Sequence, residues 1–275
     1  MSSHHFASAI EMLDWARDAI HELKISCDAF FNANNFREVR EFDADSNQNV
    51  LKIVLVSKLP QSIPRKANEA LLNIRHSLDR SIYAACTAIG HPPKDSIYFP
   101  WADSPTDLDY KLGAKAKPGK TPKIRVPIGL WDVLRELEPY GRSDAYAGGH
   151  NFIRELAKIA NRKHTIRLNF GAAVSGIDFP SFSGSMKGPA KFELGNSRWD
   201  TMKNEIVLAR FPSSIETDYK YTLHMYVAFN ESPPLKGANL IGALSDFLTY
   251  AQTVLVRLQG KAETIVGQGV HASPP

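Results

Sequence analysis

The run from Asn68 to Gly90 places the tightest limit on the fold. Leu71, Ile74, Leu78, Ile82, Ala85 and Ile89 recur at steps of three and four. That period puts them on one face of a long α-helix. Pro64 supplies a start signal, and Gly90 followed by Pro92 and Pro93 supplies a stop. Arg75 and Asp79 stand one turn apart on the flank of the apolar face, close enough to pair. A charged pair in that position is either a buried structural bridge or part of a site.

The rest of the chain reads as partners for this helix. A first helix spans Ala7 to Phe31, with Ile10, Leu13, Ile20, Leu23, Cys27 and Phe30 in helical spacing. Arg37 to Phe42 and Val50 to Ser57 form a hairpin across the turn formers Asp43 to Asn49. The pattern weakens from Ile97 to Arg125, where Ile97 to Trp101 (IYFPW) reads as an apolar plug. A short helix follows from Ile128 to Glu138, then a mobile turn around Gly141, Gly148 and Gly149. Another helix starts at Asn151, carries Ile153, Leu156 and Ala160 on one face, and closes on Asn161, Arg162, Lys163 and His164.

Beyond it the period changes to two. Ile166 to Phe170, Lys191 to Leu194, Glu205 to Phe211 and Tyr219 to Phe229 read as one antiparallel meander, with Phe179 to Pro189 as a turn-rich loop. The last helix runs from Ala238 to Leu258 with a wide apolar face, and the tail after Gly260 frays. The expected class is α+β in a single domain over residues 1–275. Residues 7–165 and 237–260 make a helical bundle, 37–57 the early β-hairpin, and 165–230 an antiparallel sheet inserted before the C-terminal helix.

Composition narrows the function classes. With 43% hydrophobic and 23% charged residues, the chain is neither disordered nor fibrous. A net charge of +4 permits an anionic partner without requiring one. Cys27 and Cys86, the only two cysteines, make no disulfide framework or zinc site, and a reducing cytoplasm is the simplest setting. No apolar run reaches the ~18 residues a membrane helix needs, and no secretion leader is read at the start. Nine histidines are scattered without ligand spacing, and HExxH, GxSxG and GxxxxGK are missing from the sequence, so neither metal nor cofactor is expected.

Two features remain that could carry chemistry. Lys111 to Arg125 includes Lys115, Lys117, Lys120 and Lys123 and no acidic residue; it is either an anion-contacting loop or a solvated one. The second feature is a constellation: Arg75 and Asp79 on the central helix, Asn161, Lys163 and His164 at the end of a second. Should those helices pack side by side, arginine offers a fixed fork for phosphate and histidine moves a proton near neutral pH. That combination suits metal-free cleavage of a phosphodiester; the alternative is an ion-pair network that fixes helix register.

The stretch LLNIRHSLDRSIYAAC (Leu71 to Cys86), then YFPW (Tyr98 to Trp101), LEPY (Leu137 to Tyr140) and NRKH (Asn161 to His164), resembles a widespread group of uncharacterised bacterial proteins. In that group the first motif reads N-L-R-S-A-L-D-H and the last N-x-x-K-H-R. The resemblance covers Leu13 to Arg167. The first motif also has the R-x4-H form of HEPN ribonuclease and nucleotide-binding domains, which are helical bundles, often dimeric, found in toxins and antiviral systems. The resemblance implies an active arginine at Arg75. It places the histidine at position 80, where this chain has Arg80. His76 sits about 100° around the helix from Arg75 and does not substitute; His164 is the replacement on offer. The implied function is a cytoplasmic HEPN-like RNA-processing or toxin/defence-type module, a homodimer with RNA or another anionic ligand as partner. The alternative is a non-catalytic binding or assembly protein.

Overall fold

The computed structural model describes residues 3–33, 35–93, 97–116, 119, 124–161, 170–185, 193–194, 200, 203–212, 216–230 and 234–270. The fold is α+β. In chain order it has α1 (Ser3–Asn32), β1 (Phe36–Asp43), β2 (Gln48–Leu55), α2 (Ser62–Ala88), α3 (Pro105–Leu112), α4 (Trp131–Glu136), α5 (Asn151–Asn161), β3 (Phe170–Ser185), β4 (Glu193–Leu194), β5 (Glu205–Pro212), β6 (Glu216–Phe229) and α6 (Leu240–Val270).

Helix α2 is the centre. It starts at Ser62, ahead of the expected start, and holds Pro64 in its first turn, where a missing N–H breaks no helical bond. It stops where Gly90 takes φ +79 and the His91 N–H reaches back to the Cys86 carbonyl at 2.9 Å. Helices α1, α5 and α6 pack around it. Ile74, Leu78 and Ile82 are wholly buried, each contributing about 2 kcal/mol of apolar burial. Small buried residues on α1 (Ala9, Ala16, Ala19) and on α2 (Ala67, Ala70, Ala84, Ala85) let helix backbones approach closely.

Ser77 also lies in this interior. Its Oγ is, among the described residues, the one buried side-chain oxygen or nitrogen without a hydrogen-bond partner. A desolvated, unpaired hydroxyl destabilises. Ser77→Ala should therefore raise the free energy of unfolding by about 1 kcal/mol. Urea denaturation checks this, and a loss of stability would mean the hydroxyl has a partner in solution.

The strands depart from the expected meander. The hairpin does not stand apart: β2 pairs with β5, giving a four-stranded sheet in the order β1-β2-β5-β4, while β3 and β6 form a separate two-stranded ribbon. β2 buries Val50, Leu51 and Ile53, which suits an inner strand; β1, with Arg37, Glu38, Arg40 and Glu41, suits an edge. Leu51, Ile53, Ala172, Val174, Ile206, Leu208 and Phe211 form a second core joining β2, β3 and β5. The turn-rich loop expected from Phe179 is strand as far as Ser185. A register shift between Asp178 and Ser181 takes Phe179 and Pro180 out of the ladder, so the proline removes no strand hydrogen bond.

Two helix ends also differ. α6 continues through Val270 instead of fraying at Gly260, because Ala262 is fully buried and Ile265 packs on the core. α3 falls where the apolar pattern weakens; Ser104 Oγ accepts the Asp107 N–H at 3.1 Å, Pro105 leads the first turn and Gly113 closes it at φ +89. No helix among the described residues is long and apolar enough to cross a membrane.

Candidate functional site

Arg75 and Asp79 occupy successive turns of α2. Arg75 is 9% exposed, a rare condition for a guanidinium. Its Nη2 stands 3.8 Å from Asp79 Oδ2, an ion pair too long to be a hydrogen bond. The other carboxylate oxygen, Oδ1, accepts the backbone N–H of Phe99 at 2.9 Å. Asp79 thus divides its oxygens. One ties down the loop that begins the apolar plug, and the other faces the arginine.

That loop is where the helices meet. The Ala102 N–H donates to the Pro139 carbonyl at 2.8 Å, so YFPW lies against LEPY. Arg154 of α5 donates from Nε to the Ala102 carbonyl at 2.9 Å and from Nη2 to Asp103 Oδ1 at 3.0 Å. Tyr250 of α6 stacks on Trp101 at 5.6 Å between ring centroids and donates its hydroxyl to the Leu137 carbonyl at 3.1 Å. Burial, aided by the Glu138 charge, pushes the Tyr250 phenol far above its usual range, so it stays a neutral donor.

The glycine-rich stretch that follows is a closed clasp, not a mobile turn. Glu138 holds φ +46 and its Oε2 accepts the Gly149 N–H at 2.8 Å. Gly149, at φ +89, sits so close to Gly141 that a Cβ would come within 2.7 Å of the Gly141 carbonyl oxygen. The His150 N–H then bonds the Tyr140 carbonyl at 2.8 Å and α5 begins. Glycine is required here for a backbone-to-backbone approach.

The structure brings Arg75 and Asp79 together and packs α5 against α2. Asn161 is the last residue of α5, with its side chain outside the described part. Lys163 and His164 lie outside the described residues, as do Lys117, Lys120 and Lys123. Lys115 pairs with Asp109 at 3.0 Å, and Arg135 of α4 takes the other oxygen of that carboxylate at 2.9 Å. Partial burial would raise the Asp109 carboxyl, but the two cations outweigh it and hold the group below its ordinary value. Lys111 pairs with Asp107 and donates to the Trp101 carbonyl, so acids of α3 reach into the basic run. His76 and Arg80 are exposed.

Arg154, Tyr250 and Glu138 were not singled out from the sequence. The only signal for them was the presence of YFPW and LEPY, which they bind together. Chemically, the arrangement offers a nearly buried guanidinium that retains donors for an anion beside a carboxylate already engaged. Among the described residues no group of three His, Cys, Asp or Glu could hold a metal ion. Set against protein-family models, curated proteins and solved structures, the chain gives no match in any of the three.

Proposed function

We propose that the protein is an RNA-binding and RNA-processing module of helical-bundle type, working in the cytoplasm, with Arg75 as the ligand for a backbone phosphate. One observation carries the reading: the Arg75 guanidinium is withdrawn from solvent, yet its carboxylate partner among the described residues stands at 3.8 Å. A guanidinium in that state gains most from an anion that fills its fork. Asp79 and Asn161 orient it. In metal-free cleavage, His164 takes the proton of the ribose 2′-hydroxyl as the 2′ oxygen bonds to phosphorus. The P–O5′ bond breaks, water protonates the departing oxygen, and Arg75 steadies the charge on the phosphoryl oxygens. Lys163, Lys115, Lys117, Lys120 and Lys123 add a diffuse attraction, and two copies of the chain form the working unit. A reducing compartment suits Cys27 and Cys86, both free and buried, whose thiols burial pushes up to about 11.

The competing reading is a scaffold in which Arg75 only neutralises Asp79, and the bond from Phe99 to Asp79 favours it. Arg75→Met separates the two. Arg75→Met keeps the Phe99–Asp79 hydrogen bond but leaves the partly buried Asp79 carboxylate without this counter-charge, at a cost of up to about 3 kcal/mol, so affinity and cleavage are compared on folded protein. The site reading expects affinity for a labelled single-stranded RNA to fall at least about tenfold, with the salt dependence of binding shallower by about one charge. The same protein should no longer cleave that RNA in EDTA. RNA affinity and cleavage unchanged in Arg75→Met, or absent from the parent protein, would leave the scaffold.

A further inference from the structure

A cleft of about 550 Å³ opens where the two sheets meet the segments leading into α2 and α6. Cavities of about 300–1,000 Å³ are the size that holds small ligands. None of its walls comes from the helices that carry Arg75 and Arg154. Its apolar lining residues include Leu55, Leu59 and Phe170. Lys58, from the segment between β2 and α2, and Lys236, from the segment before α6, supply its charge, and among the described residues no carboxylate lines it.

Among the described residues that charge is unopposed. Glu205, next to the lining residue Asn204, is engaged by Lys52 at 3.3 Å. Among the described residues neither Lys58 nor Lys236 has an ion-pair partner. Asn204 holds φ +54, and its carbonyl accepts the Leu55 N–H at 2.9 Å, which fixes one corner. At another corner the Asn230 carboxamide lies directly on Gly171; a Cβ there would stand 2.7 Å from Asn230 Nδ2. The result is a cleft lined by apolar side chains, two asparagines and two lysines that serve as point charges for a dianion.

We propose that this cleft binds a small phosphomonoester of nucleotide size, its phosphate between Lys58 and Lys236 and its flat or apolar body against Phe170 and Leu55. The site is independent of the RNA reading of Arg75. The test titrates the full chain with AMP and UMP, with adenosine and inorganic phosphate as half-ligands, followed by calorimetry and by the melting temperature. A nucleotide should raise the melting temperature and bind at least about tenfold more tightly than either half-ligand. Lys58→Gln/Lys236→Gln, at exposed positions that leave the fold intact, should weaken binding at least about tenfold. Arg75→Met should bind nucleotide as the parent does. No nucleotide-dependent stabilisation, equal binding by the double variant, or loss of binding in Arg75→Met overturns the proposal. Inorganic phosphate binding as tightly as a nucleotide would overturn the assignment to a nucleotide-sized ligand.

Discussion

Asp79→Ala should destabilise the protein by about 3 kcal/mol, seen in urea denaturation as a lower midpoint with an unchanged slope. Two losses add. The Phe99 N–H, at 2.9 Å from Oδ1, loses a charged acceptor, a bond contributing about 1.5–3 kcal/mol. Arg75 keeps its charge with no counter-charge beside it, which is the larger penalty where the group is withdrawn from water. The 17% exposure of the Asp79 side chain lets some solvent in and holds the sum at the low end for a broken buried pair. Asp79→Asn should cost about 2 kcal/mol, because the amide oxygen still accepts from Phe99 but the counter-charge to Arg75 is gone. Equal losses in the two variants would mean that the hydrogen bond to Phe99 plays no part and only the charge matters. Arg75→Met, which leaves the Phe99 bond to Asp79 in place, should cost less than Asp79→Ala.

Gly149→Ala should cost about 3 kcal/mol as well, for a different reason. At φ +89 a side chain is strained by about 1–2 kcal/mol whatever space surrounds it. Here there is also no space: the new Cβ would meet the Gly141 carbonyl oxygen at 2.7 Å and the Arg142 nitrogen at 3.0 Å, both backbone. Relief requires the clasp to open, which pulls the Gly149 N–H from Glu138 and the His150 N–H from Tyr140. Gly90→Ala is the control. Gly90 has a similar φ of +79 but nothing within 4 Å of its Cβ position, so only the conformational strain of about 1 kcal/mol remains. Hydrogen exchange should show the first turn of α5 losing protection in Gly149→Ala and keeping it in Gly90→Ala. Similar behaviour of the two proteins would refute the clasp.

The helices were legible where a periodic apolar face did most of the work. α2, α5 and α6 were all readable from spacing, since a stripe such as Leu71, Ile74, Leu78 and Ile82 has one helical explanation. α3 escaped because it buries only Leu108 and Leu112; its signature was the cap at Ser104 and the proline after it, not a stripe. β1, β2, β5 and β6 were found as strands but grouped wrongly, because alternation says that a segment has two faces and nothing about which neighbour it bonds; of β3 only Phe170 fell in an expected strand, whose other residues, Ile166 to Asn169, lie outside the described residues. Of the site, the Arg75 and Asp79 pair was visible since helix geometry alone makes such neighbours. Arg154 and Tyr250 were not, for their partners lie 52 and 113 residues away in the chain. Lys115 sits in a run without acids, and only the folded path of α3 brings Asp109 to it.

The pairing of α6 with α1 and α2 has a consequence for how the molecule is made. The ribosome delivers α2 long before α6, with the strands in between, and at about 5–20 residues per second that interval is on the order of ten seconds. Through that time the newborn α2 holds out a greasy flank that α6 later covers. Birth of this protein is therefore a wait, and helper proteins that shield such surfaces have their opportunity before α6 emerges.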